Sequence, residues 1–146
     1  MHITLSFLGA VEDARVPQVA STLAGSVAGL VDFPVTLDGI GAFPSASRAR
    51  VVWVGLADPG GGMQMLAVAV AEALEAIGFP REERTFHPHI TVARLRAPER
   101  VSIGVDVPAM RFSVDRVTLY ESRLGRVPQY EALATFPFRR DGVRHA

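Results

Sequence analysis

An α+β fold is the architecture this sequence predicts: two pseudo-symmetric lobes of antiparallel sheet with outer helices, facing across a central cleft. Three observations predict it. Alternating strand-type stretches recur along the chain, two segments carry apolar residues at helical spacing, and the order of elements is weakly repeated about the middle. At 146 residues the chain is most simply one domain, residues 1–146, with repeat halves beginning near 2 and 89.

The first stretch, His2 to Phe7, alternates strictly. Successive side chains on a strand point to opposite faces, so His2, Thr4 and Ser6 share one face while Ile3, Leu5 and Phe7 pack on the other. Gly9 breaks the pattern, and Val11 to Leu30 reads as a helix with Val16, Val19, Leu23, Val27 and Leu30 on its apolar stripe. Glu12 and Asp13 suit the positive end of its dipole, and Pro17, tolerated only in a first turn, moves the start to around Arg15.

Phe33 to Ile40 and Arg50 to Leu56 form a pair of strands joined by a loop holding Gly41, Pro44, Ser45 and Ser47. Asp58 to Gly62 is a turn into a second helix, Met63 to Ile77, with Leu66, Val70, Leu74 and Ile77 buried and Gly78 capping its end. Phe86 to Leu95 is a strand with His89 and Thr91 on one face and Ile90 and Val92 behind. After a loop come strands Arg111 to Glu121 and Tyr130 to Phe138, and Arg139 to Ala146 reads as a frayed tail. His2 to Phe7, then Phe33-x-Val35 and a closing strand, is echoed by His89 to Leu95, then Phe112-x-Val114 and a closing strand. Two lobes about an approximate twofold would bring the two histidines to one place.

Composition narrows the chemistry. Mean hydropathy is +0.24 and the hydrophobic fraction is 49%, enough for a packed core. No apolar run approaches the ~18 residues of a membrane span, and no signal segment is visible, so a soluble, cytoplasmic monomer is expected. Cysteine is absent, which removes disulfides and thiolate chemistry. Fifteen basic residues, all arginine, balance fifteen acidic ones, which argues against coating long nucleic acid and leaves room for recognising one terminus. Any basic contact to phosphate must be a guanidinium, able to bind two oxygens at once.

Two short motifs stand out. His2-Ile3-Thr4-Leu5 and His89-Ile90-Thr91-Val92 each put an imidazole and a hydroxyl on one strand face. One such match is close to uninformative. Two, each heading a repeat half, point to a site for acid–base chemistry without a metal. His87 and His89 share a parity but have no third ligand at recognisable spacing, so a metal pair is not favoured. Gly60 to Gly62 lacks the Lys and Ser/Thr of a Walker loop, and Gly39-x-Gly41 lacks the third glycine of a dinucleotide fingerprint. No cofactor is expected. Arg94 lies on the opposite parity from His89 in a straight strand and needs a bulge to turn inward. Tyr130 either stacks on a base or packs.

The two motifs, the Gly41-Ala42-Phe43-Pro44 loop, the Arg50-Val51-Val52-Trp53 strand, the segment Phe86 to Arg94 and Leu119-Tyr120-Glu121-Ser122 together resemble the two-histidine (2H) phosphoesterases. Within that superfamily the chain is similar to the bacterial RNA 2′,3′-cyclic phosphodiesterases, historically called 2′-5′ RNA ligases. The resemblance runs over nearly the whole chain. Family members usually carry a strand and a helix before the first His-x-Thr, so a truncated chain or misplaced start codon is expected. The resemblance implies a catalytic quartet of His2, Thr4, His89 and Thr91, with Arg94 on the substrate; Tyr130 stands apart from it as a further substrate-binding candidate, with packing the favoured role.

It also implies metal-independent hydrolysis of RNA 2′,3′-cyclic phosphate ends to 2′-phosphomonoesters, with reversible 2′-5′ ligation permitted. His89 would be the base and His2 the acid, from opposite lobes. Two other readings stand beside it. One is a non-catalytic module that binds RNA ends or nucleotides; the other is a 2H enzyme for small nucleotide cyclic phosphates.

Overall fold

In a computed structural model the placement of residues 2–123, 125 and 129–140 is described. Strands β1 (Phe33–Phe43), β2 (Ala49–Ala57), β3 (His89–Glu99) and β4 (Arg111–Val114) form a four-stranded sheet in the order β3-β2-β1-β4, and β5 (Arg116–Arg123) pairs with β6 (Gln129–Pro137). The β1–β2, β2–β3 and β5–β6 pairs are antiparallel. Helices α1 (Val16–Val27) and α2 (Gly62–Glu75) complete the α+β fold.

Two compact units divide the chain. One holds Met1–Phe7, Pro34–Ala67 and Glu82–Ser113; the other holds Leu8–Phe33, Val68–Arg81 and Val114–Ala146. This division cuts across the two repeat halves, because both His-x-Thr segments fall in the first unit.

In the second unit, α1 starts as the proline required. A 3-10 turn over Asp13–Arg15 precedes it, and Pro17 occupies its first turn, where the missing N–H would have had no partner. Val19, Leu23 and Val27, spaced four apart, are all buried. At the end of α2, Gly78 adopts φ +98° while its N–H bonds to the Glu75 carbonyl and the Phe79 N–H to that of Leu74. That pair of bonds is a Schellman cap, whose left-handed residue favours glycine. The Arg15 guanidinium packs over Phe79 at 4.7 Å and donates to the Ile77 carbonyl, closing the junction.

In the first unit, the turn before α2 caps that helix. Asp58 Oδ2 accepts from the Met63 and Gln64 N–H groups at 2.9 and 3.3 Å, satisfying two donors that the first turn leaves open. Met63, Leu66, Val35 and Ala49 are buried in this unit, so the apolar stripe of α2 begins where the sequence places it.

Four expectations are corrected. The first strand shortens to a single bridge, Ile3 to Ile90, and Phe7 is 74% exposed, because this stretch meets a ladder partner at one residue only. The strand expected over 111–121 divides at Asp115 into β4 and β5, which belong to different sheets. Val92, expected behind the histidine strand, is 47% exposed. Arg139 is not frayed: its N–H donates to Leu30, its carbonyl accepts from Asp32, and Phe138 beside it stacks on Phe33. The remainder of that tail, residues 141–146, lies outside the described residues.

Candidate active site

The site is a product of register. Ile3 faces Ile90 across an antiparallel bridge. Carried one step either way, that register sets Thr4 opposite His89 and His2 opposite Thr91. Neighbours of a bridged pair in a regular ladder point to the other face, so a register continued in this way would turn all four polar side chains away from Ile3 and Ile90. In that register the two histidines stand on a diagonal, for which a regular antiparallel pair has about 7–8 Å between backbones. They come from segments of one compact unit that meet at the Ile3–Ile90 bridge.

A bulge brings in Arg94. Trp53 pairs with Thr91 and Val52 with Ala93, so β3 spends one residue more than β2 across this step. The surplus residue, Val92, explains its own exposure. Beyond the bulge Val51 pairs with Arg94. Val51 and Trp53 are two apart and share a face, so Arg94 shares the face of Thr91 and His89.

The electrostatics agree with that placement. The His2 imidazole is held below its ordinary pKa, first by burial, then by the positive amino terminus and by the Arg94 guanidinium. Each cause disfavours the charged ring. Exchanging Arg94 for methionine is therefore expected to raise the His2 pKa, read from its ring-proton shifts in an NMR titration; an unchanged midpoint would mean that Arg94 does not reach this ring.

His89 is fixed differently. Its Nδ1 lies 2.6 Å from the His87 carbonyl oxygen. A carbonyl only accepts, so in the neutral ring the proton sits on Nδ1 and the lone pair on Nε2. The ring is also flanked by Phe43, edge-on at 5.3 Å, and by Trp53 at 5.7 Å. His87 contacts Trp53 at 4.8 Å with its ring 6.3 Å from that of His89. Among the described residues no group of three or more His, Cys, Asp or Glu side chains could hold a metal ion.

Of the residues singled out from the sequence, His2, Thr4, His89, Thr91 and Arg94 all belong to the first unit, and the Arg94 guanidinium acts on the His2 ring. Tyr130 belongs to the second unit, where its ring meets Tyr120 edge-on at 6.2 Å. Trp53, Phe43 and His87 had no role assigned beyond resemblance or chance. The signal for Trp53 is strand pairing, since it lies opposite Thr91, and no single-strand pattern carries that.

The family model described as "2′-5′ RNA ligase superfamily" matches residues 1–126. The chain belongs to this superfamily. A Geobacillus stearothermophilus protein named "RNA 2′,3′-cyclic phosphodiesterase" is 33% identical over 141 residues, covering 93% of this chain and 45% of that protein. The chain thus spans less than half the length of this relative. The solved structure of TT0787 from Thermus thermophilus superposes with a TM-score of 0.82 at 26% identity, covering 96% of this chain and 79% of that one. E. coli LigT complexed with 3′-AMP gives a TM-score of 0.70 at 31% identity, covering 94% of this chain and 76% of that chain.

Proposed function

We propose that this superfamily member is a cyclic phosphodiesterase that opens the 2′,3′-cyclic phosphate at an RNA end to a 2′-phosphomonoester. The observation that carries this reading is the Ile3–Ile90 bridge; its register, continued by one residue each way, supports two imidazoles on one face with two hydroxyls and the Arg94 guanidinium beside them. The names of the relatives support the substrate class.

The steps follow from the tautomers. Neutral His89, with its Nδ1 proton held by the His87 carbonyl, offers Nε2 to a water and takes its proton as the oxygen attacks phosphorus. Protonated His2 gives its proton to the departing ribose 3′ oxygen on the far side. Thr4 and Thr91 donate to the non-bridging oxygens, and Arg94 offsets their charge. The same arginine that depresses the His2 pKa in the free protein has its effect opposed by the bound phosphate anion, so substrate itself favours the acid form of His2. With a ribose 5′ hydroxyl in place of water, the same in-line attack forms the new P–O bond as the 3′ oxygen departs, leaving a 2′-5′ linkage.

A small nucleotide cyclic phosphate is the second reading, favoured by the 3′-AMP complex of the E. coli neighbour. We further propose that the protein acts as a cytoplasmic monomer; among the described residues no helix is long and apolar enough to cross a membrane. The test is phosphorus NMR of a short RNA ending in a 2′,3′-cyclic phosphate, incubated with the protein in EDTA. A 2′-phosphomonoester is the expected product. Binding without turnover would favour the non-catalytic module, and turnover of the mononucleotide alone would favour the second reading.

A further inference from the structure

Strand β1 lays Gly41 beside Trp53, and β3 lays Thr91 on the other side of Trp53, so these three residues form one row across the sheet. A Cβ on Gly41 would fall 2.1 to 2.5 Å from three carbons of the Trp53 ring system. Real Cβ atoms do not approach so closely, so the indole lies flat on the bare backbone of β1. The φ of Gly41 is not in the left-handed region; it is the space above it that the indole needs. Trp53 Nε1 is buried without an acceptor among the described residues, so no hydrogen bond from that atom holds the ring in place. What surrounds it is aromatic: Phe43 at 5.2 Å, His87 at 4.8 Å and His89 at 5.7 Å.

We propose that Trp53 is the positioning residue for His89, seated on Gly41 and wedged between Phe43 and His87 so that the His89 ring keeps the plane in which Nδ1 meets the His87 carbonyl. The His87 carbonyl selects the tautomer, and Trp53 selects the rotamer that lets it do so. A base misplaced by about 1 Å forfeits on the order of a hundredfold in rate, so a ring contact of this kind acts on turnover and little on binding. This inference rests on the reading of His89 as a proton-transfer group, but the geometry it concerns can be read without turnover.

Trp53→Phe removes the outer indole ring and no hydrogen bond. It is expected to lower kcat about tenfold to a hundredfold with KM little changed. Its His89 nitrogen shifts should move from a single Nδ1-protonated form to a mixture of tautomers. Gly41→Ala should do the same by displacing the indole, and in the Gly41→Ala/Trp53→Phe pair the two losses should not add, since the Cζ2 and Cη2 atoms closest to the new methyl belong to the ring that phenylalanine lacks. Additive losses in the pair, or unaltered His89 nitrogen shifts in either single variant, would overturn the proposal. Should the wild type prove inactive on cyclic phosphates, the nitrogen shifts still decide it, and only the assigned reaction fails. If Trp53→Phe does not fold, Gly41→Ala carries the test with the indole still present.

Discussion

His89→Ala is expected to lower kcat/KM on a 2′,3′-cyclic phosphate by about 10²–10⁴-fold, the range for losing a positioned proton-transfer group. The side chain has two duties that alanine cannot share. It accepts a proton at Nε2, and its Nδ1–H ties the ring to the His87 carbonyl at 2.6 Å. His89→Asn can mimic part of the hydrogen bond but cannot act as a base at neutral pH, so it should be nearly as slow. His2→Ala should give a loss of the same order, with a different pH signature. Because burial and positive charge hold the His2 pKa below its ordinary value, the limb in kcat/KM that reports its protonated form falls at lower pH than free imidazole would give. That limb should vanish in His2→Ala. Steady-state rates across pH in EDTA check both. Wild-type rates in His89→Ala would sink the mechanism.

The second large effect belongs to the threonines. Thr91→Val keeps shape and removes one donor to the non-bridging oxygens, at an expected cost of about 10²–10³-fold in kcat. Thr4→Val should cost less. Thr91 is half-buried on β3 whereas Thr4 is exposed on a segment with a single bridge, so water can more readily replace the Thr4 donor. A hydroxyl that stabilises only developing charge leaves KM nearly unchanged when removed. Equal losses in both variants would contradict the burial argument, and losses confined to KM would place the hydroxyls in ground-state binding.

Much of this was legible in the chain because it depends on nearest neighbours. Period-two alternation tells which residues of His2 to Phe7 and His89 to Thr91 share a face, and spacing of four assigns Val19, Leu23 and Val27 to the core. Pro17 and Gly78 mark helix ends through φ preferences that hold whatever surrounds them. At Asp115 the alternation slips by one residue, from apolar Phe112 and Val114 to apolar Val117 and Leu119, and only the partner strands show that this slip separates two sheets.

By itself the sequence determined the helices, the spacing of each histidine from its own threonine and the family. Tertiary structure alone decided which segments became neighbours. The two histidine segments, far apart in sequence, meet at the Ile3–Ile90 bridge. Parity turned Arg94 away from His89, yet the surplus residue at Val92 turned it back. Trp53 gained its place from Gly41 on one strand and Thr91 on another. The physical reason is common to all three. A side chain's face is set by its own backbone, whereas register is set by hydrogen bonds between residues far apart in sequence, and one residue of slip reverses every face.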